Sequence, residues 1–384
     1  MKFYSLASSN WGKEEIAAIK SVIKTDRYTM GDEVKRFENK IAKFYKVNHA
    51  IMYNSGSSAN LIMIATLFEM GLIKKGDEVI VPAVSWSTTY FPIHQYGLKL
   101  VFVDTDKFGT IDTNKVIKAI SKKTRIIFNV NLLGFPSELD ILKSIADENK
   151  IILLEDNCES FGSTYMNKKA GTFGLMGSLS FFYSHHITTM EGGMILTNDL
   201  KISEYAKSLR AHGWLRDLPL KNKIHNKTGD FFKDSFKFVL PGYSLRPLEF
   251  SAAIGLVQLK KWNEQKKQRL INAKIFCKLL GNNPKYQIPH FDNNSTWFGF
   301  PIIFKSKIDR EKMIKVFGLN GIECRPIVAG NFTKQPVIQK LNFRISGTLK
   351  NADCIDACGL FLGNDHRNLK KQLYKVNELI RNEI

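Results

Sequence analysis

Ile151-Ile152-Leu153-Leu154-Glu155-Asp156-Asn157-Cys158-Glu159-Ser160 is a four-residue apolar run that leads straight into a cluster of carboxylates. A short apolar run closed by polar turn residues is the pattern of a strand buried on both faces, as in a parallel sheet. Segments of the same kind recur at 51–53, 78–81, 100–104, 126–130, 179–183 and 193–197, with helical patterns such as 59–70 and 114–121 between them. Strands alternating with helices predict an α/β fold, a mostly parallel sheet with helices on both faces. Residues 216–236, rich in Lys, Asn, Asp, Pro and Gly, break the alternation and read as a mobile loop. Pro247 suits the first turn of a long helix running to about Leu280, where its missing N–H has no intrahelical role. A strand at 296–304, a helix at 310–317 and a terminal helix from about Leu369 complete a smaller α+β unit. The expected division is 1–245, a large domain with an N-terminal helix, and 246–384, the connecting helix and a small C-terminal domain.

The chain has 384 residues, 44% of them hydrophobic, which is enough to bury a large core and excludes disordered and fibrous classes. No apolar run approaches the roughly 18 residues of a membrane span, and the first ten residues turn polar too soon for a secretion signal. A soluble cytoplasmic protein is expected. Five scattered cysteines, Cys158, Cys277, Cys324, Cys354 and Cys358, form no repeated pair and support neither a disulfide framework nor a metal site. The formal charge of +20 admits nucleic acid, an anionic membrane or small anionic substrates. The densest cationic cluster, Lys260, Lys261, Lys266, Lys267 and Arg269, lacks any nucleic-acid-binding signature and reads as a solvated helix face. No nucleic-acid or membrane partner is expected.

Ligands of open α/β sheets gather at strand ends, and four stretches there carry chemistry. Asn54-Ser55-Gly56-Ser57-Ser58-Ala59-Asn60 follows a strand and opens a helix, so its N–H groups and hydroxyls suit a phosphate. Val81-Pro82-Ala83-Val84-Ser85-Trp86 presents an indole that can stack on a flat ring. The carboxylates after Leu154 are what a pyridinium nitrogen requires, because an anion there keeps it protonated. The fourth is Ser180-Phe181-Phe182-Tyr183-Ser184-His185-His186-Ile187-Thr188-Thr189-Met190-Glu191-Gly192-Gly193, whose paired histidines find no further metal ligands nearby.

In that order the four stretches resemble the sugar-aminotransferase branch of the fold type I pyridoxal phosphate (PLP) enzymes, which have the aspartate-aminotransferase fold. The likeness continues through Arg210-Ala211-His212-Gly213, Gly242-Tyr243-Ser244-Leu245-Arg246 and Gly321-Ile322-Glu323-Cys324-Arg325-Pro326. It implies that Asp156 pairs with the pyridine nitrogen, that Glu159 contacts the ring hydroxyl and that Trp86 stacks on the ring. It further implies that Gly56, Ser57, Ser58 and Ser180 hold the phosphate. Ser244 stands where the family usually has the Asn that reaches the partner subunit's cofactor phosphate, so a homodimer with shared sites is implied too. Arg216 and Arg325 are candidates for the substrate diphosphate or for a carboxylate, anions that guanidinium pairs with bidentately.

One departure decides the expected chemistry. Where family aminotransferases carry the lysine that bonds covalently to PLP, this chain has His185. An imidazole cannot form that bond, so pyridoxamine phosphate (PMP), which brings its own amine, becomes the working form. The exchange is similar to that in the 3-dehydratases of deoxysugar biosynthesis, above all those of the colitose pathway, with which the chain shares Ser-Phe-Lys-Phe-Val-Leu-Pro-Gly-Tyr at 235–243. That resemblance implies a GDP-linked 4-keto-6-deoxy sugar as substrate and L-glutamate as amino donor. His185 is the expected catalytic residue, base first and acid afterwards. Another subclass with the same histidine holds an iron–sulfur cluster; the absence of cysteine between Cys158 and Cys277 predicts none here. An ordinary 4-aminotransferase is disfavoured by the missing lysine, a non-catalytic sensor by the intact cofactor residues. Hexose versus heptose stays open, GDP over CDP rests on the resemblance alone, and His186 has no assigned role.

Overall fold

The computed structural model describes residues 3–281 and 283–384. Its strands are β1 His49–Tyr53, β2 Glu78–Pro82, β3 Lys99–Val103, β4 Thr124–Val130, β5 Ile152–Asp156, β6 Thr164–Tyr165, β7 Lys168–Lys169, β8 Met176–Ser180, β9 Gly193–Thr197, β10 Tyr286–Gln287, β11 Gly299–Phe304, β12 Cys324–Arg325, β13 Phe343–Ile345 and β14 Gly359–Gly363. Eight form one sheet in the order β1-β9-β8-β5-β4-β2-β3-β13, parallel except where β9 runs antiparallel to β1 and β8. Successive residues of its strands feed different cores. Val79, Val81, Leu100, Phe102, Ile126, Phe128 and Leu154 join the helix Gly56–Glu69 on one face, while Ile80, Val101, Val103, Ile127 and Leu153 meet the helices Thr113–Ala119 and Leu139–Glu148 on the other. Both faces are covered, which is why these strands are apolar throughout rather than alternating.

The second sheet, β10-β11-β14-β12, is antiparallel and packs with the helices Lys307–Leu319 and Lys370–Glu383 around Phe276, Trp297, Phe300 and Leu360. β13, although late in the chain, adds a parallel edge strand to the large sheet beside β3. The helix Glu249–Leu280 spans both cores: Trp262 belongs to the cluster around Phe37 and Phe181, Phe276 to the small-sheet core.

Three expectations need correction. The strand expected at 179–183 is Met176–Ser180; its ladder with β9 ends at the Ser180–Gly193 pair, and the His185 N–H then bonds the Phe182 carbonyl in a turn. Pro247 precedes the long helix, whose cap is Leu248. The cationic cluster is not a solvated face. Helical spacing turns Lys261, Gln265 and Arg269 inward; Lys261 pairs with Glu14 and Glu15 at 2.9 and 2.8 Å, and Arg269 is buried against the carbonyls of Trp297 and Asn364. Only Lys260 and Lys267 remain exposed. The excursion at 216–236 includes a short helix, Phe231–Ser235, and is tied by Asp234, which takes the N–H groups of Thr228 and Gly229.

Candidate active site

The C-terminal ends of β4, β5 and β8 place Val130, Asp156 and Ser180 along one edge of the large sheet, as an open α/β sheet dictates. The helix Gly56–Glu69 begins at the same edge, capped by the Ser55 hydroxyl, which accepts from the Ser58 N–H at 3.1 Å. Glycine is needed at 56 for close approach: a Cβ there would lie 2.6 Å from the Ser180 Cβ and 3.0 Å from the Cys158 Sγ. Gly56, Ser57, Trp86, Asp156, Glu159, Ser180, His185 and Arg325 thus line one cavity of about 340 Å³.

Asp156 lies at its floor. Oδ2 accepts from Asn60 Nδ2 at 2.7 Å and Thr89 Oγ1 at 2.8 Å, whereas Oδ1 has only the long contacts of the Cys158 N–H (3.2 Å) and Ser178 Oγ (3.5 Å). One oxygen is pinned and the other keeps capacity for a short bond. Glu159 accepts from the Leu133 N–H at 2.9 Å. Burial pushes its carboxyl up to about 7, against the pull of that N–H and of the Arg325 guanidinium, with the charge of Asp156 adding to the rise. Glu155, one residue before Asp156, faces elsewhere and takes the N–H groups of Gly171, Phe173 and Gly174, tying down the chain that leads into β8.

His185 stands in the turn after β8, edge-on to Phe298 at 5.2 Å between ring centres. Burial, then the guanidinium groups of Arg325 and Arg269, hold its imidazole down to about 3. A ring so placed is a neutral base at neutral pH. Once protonated it becomes a strong acid. His186 points away: its Nε2 meets the Thr296 carbonyl at 3.3 Å, and its ring packs edge-on against Trp262 and Phe298. Arg325, on β12, stacks on Phe361 with its guanidinium 4.7 Å from the ring centre and reaches the cavity from the small-sheet side.

Three sequence-derived candidates lie outside the cavity wall. The Ser58 hydroxyl donates to Asn54 Oδ1 at 2.6 Å, inside the turn. Ser244 is exposed and bridges to Ala211. Arg216 is also exposed, its guanidinium 3.8 Å from the Trp214 ring centre. Sequence reasoning gave no role to Asn60, Thr89, Cys158 or Glu191. Asn60 had a signal, since it follows Gly56 by one helical turn and so faces the same strand ends.

The pocket fits a pyridoxal-type cofactor. A Cβ-free cradle at a helix N-terminus suits its phosphate, Asp156 Oδ1 suits its ring nitrogen, and the half-exposed Trp86 can cover its ring. Among the described residues no lysine lines the cavity.

Comparison with known proteins matches residues 9–381 to the DegT/DnrJ/EryC1/StrS aminotransferase family. The GDP-4-keto-6-deoxy-D-mannose 3-dehydratase of Yersinia pseudotuberculosis is 46% identical over 98% of this chain and 98% of its own. That of Escherichia coli O55:H7 is 47% identical over 98% and 99%. The structure of a GDP-4-keto-6-deoxymannose 3-dehydratase with a trapped PLP-glutamate geminal diamine matches with a TM-score of 0.96 at 46% identity, covering 98% of this chain and 100% of that one. A variant of such a dehydratase, histidine to asparagine, with bound GDP-perosamine gives 0.95 at 46% identity over 98% and 100%.

Proposed function

The chain belongs to the DegT/DnrJ/EryC1/StrS aminotransferase family, and from that membership we propose that it is a PMP-dependent 3-dehydratase of GDP-4-keto-6-deoxymannose, recharged by glutamate. The observation that carries the reading is His185 in a pocket that no lysine lines among the described residues. Bound in that pocket, PMP supplies an amine for the sugar ketone and a ring that draws electrons from the carbons it joins.

The chain's own residues do the rest. Gly56, Ser57 and Ser180 would hold the phosphate, Asp156 the ring nitrogen and Glu159 the ring hydroxyl, all lining the same cavity. His185 would take a proton from the carbon that bears the amine and return it to the C3 hydroxyl, so that water leaves. A lysine, longer and more flexible, would instead carry the proton to C4 and leave an amino sugar. General acid–base assistance of this kind contributes on the order of 10²–10⁴ in rate. Past Trp86 and Val328 the wall continues into an open groove with Lys307 and Arg310, which suits the nucleotide diphosphate.

The homodimer is part of the reading. Phe231, Phe232, Phe236 and Phe238 are 81%, 83%, 67% and 59% exposed, an apolar patch that a second subunit would cover. Arg216, 5.5 Å from the Phe236 ring centre, would then face the partner's cavity rather than its own, as would Ser244. Among the described residues no helix is long and apolar enough to cross a membrane, and the five cysteines are free, which suits the reducing cytoplasm. A panel of GDP- and CDP-linked 4-keto-6-deoxy hexoses and heptoses tests the substrate. The GDP-hexose is expected to give the highest kcat/KM, and preference for a CDP-sugar would reject the assignment.

A further inference from the structure

Next to the cofactor pocket, sharing Ser184 and His185 with its lining, lies a second and much smaller cavity of about 10 Å³, the space one water centre requires. His185 lines both cavities. Three side-chain atoms of the small cavity's lining residues are sealed from solvent without a hydrogen-bond partner among the described residues: Asn10 Oδ1, His185 Nδ1 and Arg269 Nε. Leaving one such group unpaired costs about 1–3 kcal/mol, and here three belong to residues lining one space. The Nε2 of His185 is not among the sealed, unpaired atoms.

We propose that this cavity is a water site through which Asn10 and Arg269 act as positioning residues for His185, keeping the proton on Nδ1 and leaving Nε2 free to face the substrate. The donor and acceptor inventory is consistent with that assignment. Arg269 Nε can only donate and Asn10 Oδ1 can only accept. A water that donates to Asn10 can accept from both Arg269 Nε–H and His185 Nδ1–H. Three bonds is the usual complement of a buried water. Nδ1–H remains a donor whether or not Nε2 has taken a proton, so the water need not reorganise during turnover. The inference rests on His185 as the proton carrier, but the tautomer and the water site can be read without sugar.

The test uses full-length protein, with and without PMP, labelled with ¹⁵N-histidine, the His185 signal being identified by its loss in a His185→Asn variant. The expected spectrum is the neutral Nδ1–H tautomer. Asn10→Leu should convert it to the Nε2–H form or a mixture and lower kcat on the order of 10-fold with KM unchanged. Asn10→Asp, which keeps the acceptor, should restore both. An Nε2–H signal in the unaltered protein, or an Asn10→Leu spectrum identical to it, would overturn the proposal. A high-resolution crystal structure gives the second arm: one water within hydrogen-bond distance of all three atoms is expected, and a dry or protein-filled cavity would overturn it. Should the enzyme make an amino sugar while the Nδ1–H signal is present, the dehydratase reading fails and the water site stands.

Discussion

At position 185 the choice between two side chains separates two reactions. An ε-amino group would bond covalently to PLP and shuttle protons over several ångströms on a flexible stem, whereas the imidazole is fixed by Phe298 and cannot form that bond. His185→Lys is therefore expected to bind PLP covalently, detectable as a borohydride-reducible adduct on that residue, and to shift the product toward the 4-amino sugar. Failure to trap an adduct would mean that position 185 does not face the cofactor. This residue was legible in the sequence because it interrupts an otherwise continuous motif. The roles of Asn60 and Thr89 were not, because holding one oxygen of Asp156 requires knowing which turns of two separate helices meet at β5.

Among the elements, strands were read closely wherever apolar runs were closed by polar turns: β9 coincides with residues 193–197, and β1 through β5 differ from their expected ends by one or two residues. β8 was misplaced because Phe181, Phe182 and Tyr183 have strand propensity but leave the ladder: the Phe181 N–H still reaches the Gly192 carbonyl, while the carbonyls of Phe181 and Phe182 turn to the N–H groups of Thr189 and His185, and where a ladder stops is a tertiary fact. The cationic helix was misread for a similar reason. Its pattern holds Lys261 and Arg269 on the buried side, where Glu14, Glu15 and backbone carbonyls receive them. The segment 231–238 makes a prediction of its own. If its phenylalanines cover a partner subunit, Phe231→Ser with Phe232→Ser should move the protein from dimer toward monomer in sedimentation at micromolar concentration, with loss of activity. An unchanged dimer would place the interface elsewhere.

For the whole molecule, the buried titratable groups of the site couple folding to pH. His185, normally near 6.5, is held at about 3, and His186 is also lowered by burial, so between about 3 and 6.5 the unfolded chain binds protons that the folded one does not. Their contribution is present above 6.5 and lost as pH falls. Glu159, normally 4.5, is raised to about 7, and its contribution runs the other way, present below 4.5 and lost as pH rises through 7. Glu159→Gln, which stays neutral, should therefore gain stability relative to the parent as pH rises from 5 to 6.5, by at most about 1.4 kcal/mol per pH unit. Denaturant midpoints of the cofactor-free proteins measure this; a difference independent of pH would contradict it. The +20 charge is only partly explained by the site, through Arg325 in the cavity wall and Lys307 and Arg310 along the groove. The most direct measurement is the sugar formed when the purified protein is incubated with PLP, glutamate and GDP-4-keto-6-deoxymannose and the product is resolved by NMR. The account predicts a sugar deoxygenated at C3 that retains its C4 ketone, formed together with 2-oxoglutarate and ammonia; GDP-perosamine, the 4-amino sugar with its C3 hydroxyl intact, would contradict it.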